Sequence, residues 1–242
     1  MKITTVLFDL DGTLLPMDQN AFIKAYFGGL ARRLTPHGYD PQKLIDAIWQ
    51  GTAAMVKNNG DVTNEERFWQ GFEAAYGRPT RQDEELFAAF YREDFDKVSS
   101  SCGYTPAARE IIDTVKACGL RTALATNPIF PAMATERRIA WAGLSTSDFE
   151  LYTTYENSRF CKPNPKYYLD VMQTLGVCPE ECLMVGNDVV EDMVAQTLVS
   201  RVFLLTDYLI NPQNVDISVY PNGSYSDLIA FIKNLNTIDS KR

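Results

Sequence analysis

The stretch Val6-Leu7-Phe8-Asp9-Leu10-Asp11-Gly12-Thr13 constrains this chain more than any other. A short apolar run ends in two carboxylates separated by one residue, then a glycine and a hydroxyl. Side chains at i and i+2 of a strand share a face, so Asp9 and Asp11 converge at the strand's C-terminal edge. Open α/β sheets place their ligands at that edge. Two crowded carboxylates repel, and a Mg²⁺ ion or a shared proton relieves the repulsion. A solvated acidic turn at a strand end is the alternative reading of the same residues.

The first strand is expected over residues 3–9, and after Pro16 the pattern becomes purely helical. Residues 18–34 carry Phe22, Ile23, Tyr26, Phe27 and Leu30 at helical spacing. Residues 41–57 follow, opened by Pro41 and carrying Leu44, Ile45, Ile48 and Trp49 on one face. A third helix starts at Thr63, where Thr63-Asn64-Glu65-Glu66 reads as a capping box. A fourth spans 80–96 with Leu86, Phe87, Phe90 and Tyr91. Four amphipathic helices without an intervening strand read as a small bundle inserted as a unit.

From Thr105 onward strands and helices alternate. Helices are expected over 105–118 (stopping at Gly119), 131–142, 164–175, from 189, and over 224–235. Strands are expected over 121–126, near 150–153, and over 182–186 and 202–205. This alternation predicts an α/β fold with a doubly wound parallel sheet and an inserted α-helical domain. The joints fall near 14–18 and 97–104, giving an α/β core of 1–16 plus 100–242 and a helical insertion of 17–99.

A chain of 242 residues accommodates this, and an apolar fraction of 45% suits an ordinary globule. A formal charge of −8 argues against nucleic acid, whose phosphates call for a basic face. No apolar run approaches the ~20 residues of a membrane span, so no membrane association is expected. The five cysteines, at 102, 118, 161, 178 and 182, are odd in number and unpaired in spacing. They read as reduced thiols in a cytoplasmic protein. Cys178 and Cys182 lack a matching Cys or His pair for zinc. The single histidine, His37, sits in a polar turn, and no Cys has an Arg six positions on for cysteine-based phosphatase chemistry.

Three further positions end predicted elements. Thr126-Asn127 closes an apolar strand with a hydroxyl and an amide. Lys162-Pro163 opens the helix over 164–175, near its positive end. Asp188 and Asp192 follow another buried strand, and at i and i+4 they would share one helix face. Singly, Thr126 or Asp188 reads equally well as a cap, and Lys162 as a solvated cation. Together they lie on one rim of a parallel sheet. Carboxylates, an ammonium and hydroxyl or amide donors on one rim suit metal-assisted reaction of a phosphate ester.

These residues, in this order, resemble the four motifs of the haloacid dehalogenase-like hydrolases, and the resemblance spans about 1–16 and 100–236. The helical insertion is similar to the α-helical cap of that group's first cap class, so the resemblance implies that 1–16 plus 100–242 are a catalytic core and 17–99 a cap domain. The resemblance implies a Mg²⁺-dependent phosphomonoester hydrolase acting on a small phosphorylated metabolite. Asp9 would be the nucleophile that forms an aspartyl-phosphate, and Asp11 the general acid and then base. Thr126 and Lys162 would hold the transferring oxygens, with Asn127 as a further phosphate donor. Mg²⁺ would take Asp9, the backbone carbonyl of Asp11 and Asp188, with Asp192 orienting waters or Lys162. Asn187 stands where many members have their acidic residue, so the metal ligand aligns to Asp188 with a one-residue ambiguity.

Position 11 discriminates within the group, because a halide leaves without a proton whereas an alkoxide needs one. Asp11 therefore favours phosphoester chemistry over dehalogenation and over Schiff-base phosphonate cleavage. A sugar phosphomutase and a non-catalytic phospho-ligand binder remain as alternatives. A signal-receiver domain is disfavoured by chain length and by the helical insertion. Substrate specificity is assigned to the cap, with Lys24, Arg32, Arg33 and Lys57 as candidates for meeting a substrate carboxylate. The aromatic stripe of Phe22, Phe27, Trp49, Phe68, Trp69 and Phe72 is expected to be bundle core rather than a ligand cage. Oligomeric state is not legible.

Overall fold

The computed structural model describes residues 2–199 and 201–235; positions 1, 200 and 236–242 of the expected core span lie outside the described residues. Strand β1 (Thr5–Phe8) is followed by four helices, α1 (Gln19–Leu34), α2 (Pro41–Val56), α3 (Asn64–Tyr76) and α4 (Glu84–Glu93). Then come α5 (Ala107–Ala117), β2 (Arg121–Leu124), α6 (Ala132–Trp141), α7 (Pro165–Leu175), β3 (Cys182–Gly186), β4 (Arg201–Leu205), β5 (Asn222–Gly223) and α8 (Tyr225–Asn234).

These strands form one sheet in the order β2-β1-β3-β4-β5, with every pairing parallel. β1 is central, and its Phe8 is in register with Leu124 on one side and Val185 on the other. Its residues alternate between two cores. Val6 and Phe8 join Ile111 and Ile112 of α5, Ile139 of α6 and Leu228 of α8. Leu7 joins Tyr167, Tyr168 and Val171 of α7 on the opposite face. Helices on both faces explain why these strands read as unbroken apolar runs. Each such side chain contributes about 1.5–3 kcal/mol by leaving water. The doubly wound reading therefore holds.

The helical insertion begins where its sequence signals place it. Asp18 caps α1 through the Ala21 N–H at 3.0 Å, Asp40 caps α2 through Lys43 at 2.8 Å, and Thr63 caps α3 through Glu66 at 3.2 Å. The chain leaves and re-enters the core side by side, with the Gly103 N–H donating to the Pro16 carbonyl at 2.8 Å. Asn64, fully buried at the start of α3, donates to the carbonyls of Pro128 and Phe160 at 3.3 and 3.2 Å. That amide ties the insertion to two core loops.

Three expectations need correction, and one short strand is added. The fourth helix is shorter than 80–96, because 3-10 turns at Arg81–Asp83 and Phe95–Ser101 flank α4. The segment near 150–153 runs beside β2 but forms only a single bridge, Tyr152 with Leu124. No helix starts at 189. The Asp188 carboxylate accepts from the Val190 and Glu191 N–H groups at 2.7 and 2.8 Å, and these bonds hold a tight loop that leads into a 3-10 turn at Met193–Thr197. The two-residue β5 adds an edge that carries no apolar signal in the sequence.

Candidate active site

Asp9 continues past β1, its N–H donating to the Val185 carbonyl at 2.9 Å. Its Oδ1 accepts from the Lys162 ammonium at 2.7 Å, and the same ammonium reaches Asp192 Oδ1 at 2.6 Å. The Lys162 side chain is wholly shielded from solvent, and Asp192 nearly so. Burial alone would push the lysine pKa down, but Asp192 and Asp9 outweigh it and hold the value well above the ordinary one. The site therefore contains a permanent buried cation clamped between two carboxylates from different loops.

Two glycines make this approach feasible. Gly12 turns the chain at φ +87°, and a Cβ there would lie 2.3 Å from the Asn187 amide. A Cβ on Gly186 would lie 2.1 Å from the Asp192 carboxylate. Asp192 also braces its own loop by accepting from the Asp188 N–H at 2.9 Å. Asn187 is occupied structurally, accepting from the Thr13 hydroxyl at 3.0 Å and donating to the Tyr208 carbonyl at 2.7 Å. The shared helix face expected for Asp188 and Asp192 is thus replaced by a loop in which a backbone–carboxylate bond joins them.

Asp11 forms a close ion pair with Arg138 of α6. Arg138 is fully buried, donates to the Thr135 hydroxyl at 3.3 Å, and lies 4.5 Å from the centre of the Phe130 ring. Burial raises the Asp11 pKa by more than Arg138 lowers it. Its Oδ1 is buried with no hydrogen-bond partner. The sequence reading missed Arg138. Its signal was a charged residue beside Ile139 and one turn beyond Ala134, on the otherwise apolar face of that helix.

The backbone carbonyl of Thr126 is fixed by the Thr153 and Tyr167 hydroxyls at 2.6 and 2.8 Å. Asn127 accepts from the Lys162 N–H at 3.3 Å and donates to Glu191 at 3.0 Å. Glu191, also unforeseen, has its pKa pushed by burial up to about 7. Its only sequence signal is its place next to Asp192.

Asp9, Asp11, Thr126, Asn127, Asp188, Glu191 and Asp192 line one cavity of about 360 Å³ between the sheet rim and the inserted helices. The cationic candidates of the insertion do not. Lys24 and Arg32 line a different hollow beside His37, Arg33 pairs with Glu93 at 2.7 Å, and Lys57 is exposed at the end of α2. The aromatic stripe is core as expected at Phe22, Phe27, Trp69 and Phe72, with Phe68 packed against them, but Trp49 is half exposed and all of these rings except Phe72 also border the cavity. Helical periodicity marks an inward face and cannot distinguish a packed interior from a hollow one.

No group of three His, Cys, Asp or Glu side chains among the described residues converges tightly enough to hold a metal by itself. The donor chemistry nevertheless fits a hard divalent cation. Five carboxylates line the cavity, while Lys162 and Arg138 are the two cations paired with them. The excess negative charge and all-oxygen donors suit Mg²⁺ rather than zinc.

The profile of the haloacid dehalogenase-like hydrolases matches residues 3–195. Hexitol phosphatase A of Escherichia coli K12 is 28% identical over 189 residues, which cover 77% of this chain and 76% of that protein. Pyrophosphatase PpaX of Bacillus cereus is 25% identical over 192 residues, covering 78% and 76%. A solved HAD phosphatase from Thermococcus onnurineus superposes with a TM-score of 0.61 over 98% of this chain and all of that one, at 18% identity. The family match over most of the chain and the shared fold lead to one conclusion: this protein belongs to the haloacid dehalogenase-like hydrolases and is a hydrolase.

Proposed function

We propose that the protein is a Mg²⁺-dependent phosphomonoester hydrolase working through an aspartyl-phosphate on Asp9. The observation that carries this reading is the buried Asp9–Lys162–Asp192 array at the C-terminal edge of the central strand, with Asp11 two residues beyond the nucleophile. The phosphatase relatives support the same chemistry. Asp9 attacks phosphorus, and Lys162 offsets charge on the transferring oxygens while orienting the Asp9 carboxylate. Thr126 and Asn127 donate to the same oxygens. Asp11, with its raised pKa, gives its proton to the leaving oxygen and then takes one from the water that hydrolyses the intermediate. Asp9, the carbonyl of Asp11 and Asp188 would hold Mg²⁺, which when bound supplies charge neutralisation for the approach of an anionic ester.

In this reading residues 1–16 and 100–242 are the catalytic core, 17–99 a cap that closes over a small phosphorylated substrate, and the five free cysteines belong in a reducing cytoplasm. Phosphate release from acetyl phosphate and p-nitrophenyl phosphate, with Mg²⁺ and with chelator, tests the proposal. Release should require the metal and fall at least about 10³-fold in Asp9→Asn without loss of the folded circular-dichroism signal. Metal-independent release, or full activity in Asp9→Asn, would refute it.

A further inference from the structure

We propose that the alcohol released by this enzyme is neutral, largely apolar and ring-bearing, and that the inserted helices recognise it by aromatic contact. This deepens the phosphatase reading and rests on it. The cavity that begins at Asp9 continues between the helices, where its walls include Phe27, Leu30, Ile48, Trp49, Phe68 and Phe87. Among the described residues lining it there is no Lys, Arg or His. An acidic leaving group would find no counter-charge there and would face five carboxylates at the rim.

A polyol or sugar fits no better. It carries several hydroxyls, and each one buried without a partner is costly. The helical walls offer Gln19, Thr52, the indole N–H groups of Trp49 and Trp69, and the hydroxyls of Tyr26 and Tyr91; the two hydroxyls already bond each other at 2.8 Å, and the buried Trp69 N–H is left as a single unpartnered donor, too little for a polyol. A quaternary ammonium group would suit aromatic walls, but the walls from residues 17–99 carry no Asp or Glu to balance it. Phe and Trp faces with few donors favour a flat or branched apolar body, anchored at one end by its phosphate.

The test compares kcat/KM for four esters with Mg²⁺: 2-phenylethyl phosphate, glycerol 3-phosphate, O-phosphoserine and phosphocholine. Acetyl phosphate serves as a probe of the rim chemistry, because its acyl group is too small to fill the helical end. The phenylethyl ester should exceed the other three by on the order of 10–100-fold, mostly through a lower KM. Turnover of acetyl phosphate with equal or better use of the polyol, amino-acid or choline ester overturns this inference and leaves the phosphatase reading intact. No release from any compound overturns the phosphatase reading. In that event calorimetric binding to the Asp9→Asn protein decides the cavity's preference, and affinity for glycerol 3-phosphate equal to that for phenylethyl phosphate overturns the inference.

Discussion

The two ends of the cavity are built on opposite principles. At the sheet rim, buried charges are held by opposite charges: Asp9 and Asp192 share Lys162, and Asp11 pairs with Arg138. At the helical end there is almost no charge, and rings supply the walls. In the phosphatase reading proposed above, the rim would bind what every phosphoester has in common, and the helical end would meet what varies between substrates. Chemistry and choice are therefore separable, and substitutions at each end should fail differently.

The largest separation is expected for Asp11→Asn. Loss of the general acid should lower kcat by about 10²–10⁴-fold for an alkyl phosphate and much less for p-nitrophenyl phosphate, whose leaving group needs no proton. Equal losses on both would show that Asp11 acts through structure, as the partner of Arg138, rather than through proton transfer.

Next comes Lys162→Met, which removes the charge shared by Asp9 and Asp192. Breaking a buried ion pair by deleting one partner costs about 3–5 kcal/mol. Thermal unfolding should register this as a marked fall in Tm, alongside lost activity. A Tm equal to wild type would mean that solvent already reaches the array.

The smallest effect concerns Glu191. Its pKa is raised by burial from the ordinary 4.5 to about 7 in the folded protein. Between those values the unfolded chain releases a proton that the folded one retains, so stability should decline as pH rises from 4.5 to 7 and then level off. Glu191→Gln keeps an acceptor for Asn127 and should flatten that decline in metal-free buffer. An unchanged pH profile of Tm would show that Glu191 is already ionised when folded.

Much of the rim was legible in the sequence because it is locally encoded. An apolar run that ends in a polar residue marks a strand and its edge together, and parallel strands bring all such edges to one side of the sheet. That logic located Asp9, Asp11, Thr126, Lys162 and Asp192 from residues at most a few positions from a predicted boundary. It went wrong at residue 189, where spacing alone suggested a helix. The Asp188 carboxylate accepts from the Val190 and Glu191 N–H groups as a cap would, but the chain continues only as a tight loop and a 3-10 turn.

The sequence by itself determined the alternation of strands and helices, the helical insertion after the first strand, and the carboxylates at the strand ends. Each depends on neighbours within a turn or a pleat. Only the tertiary structure decided that Arg138 faces Asp11 across 127 residues, that one ammonium serves two carboxylates, and that the aromatic stripe borders a cavity. The physical reason is that amphipathic spacing determines whether a side chain leaves water, while its partner is set by how separate elements pack. A ring facing a core and a ring facing an enclosed hollow have the same periodicity in the chain.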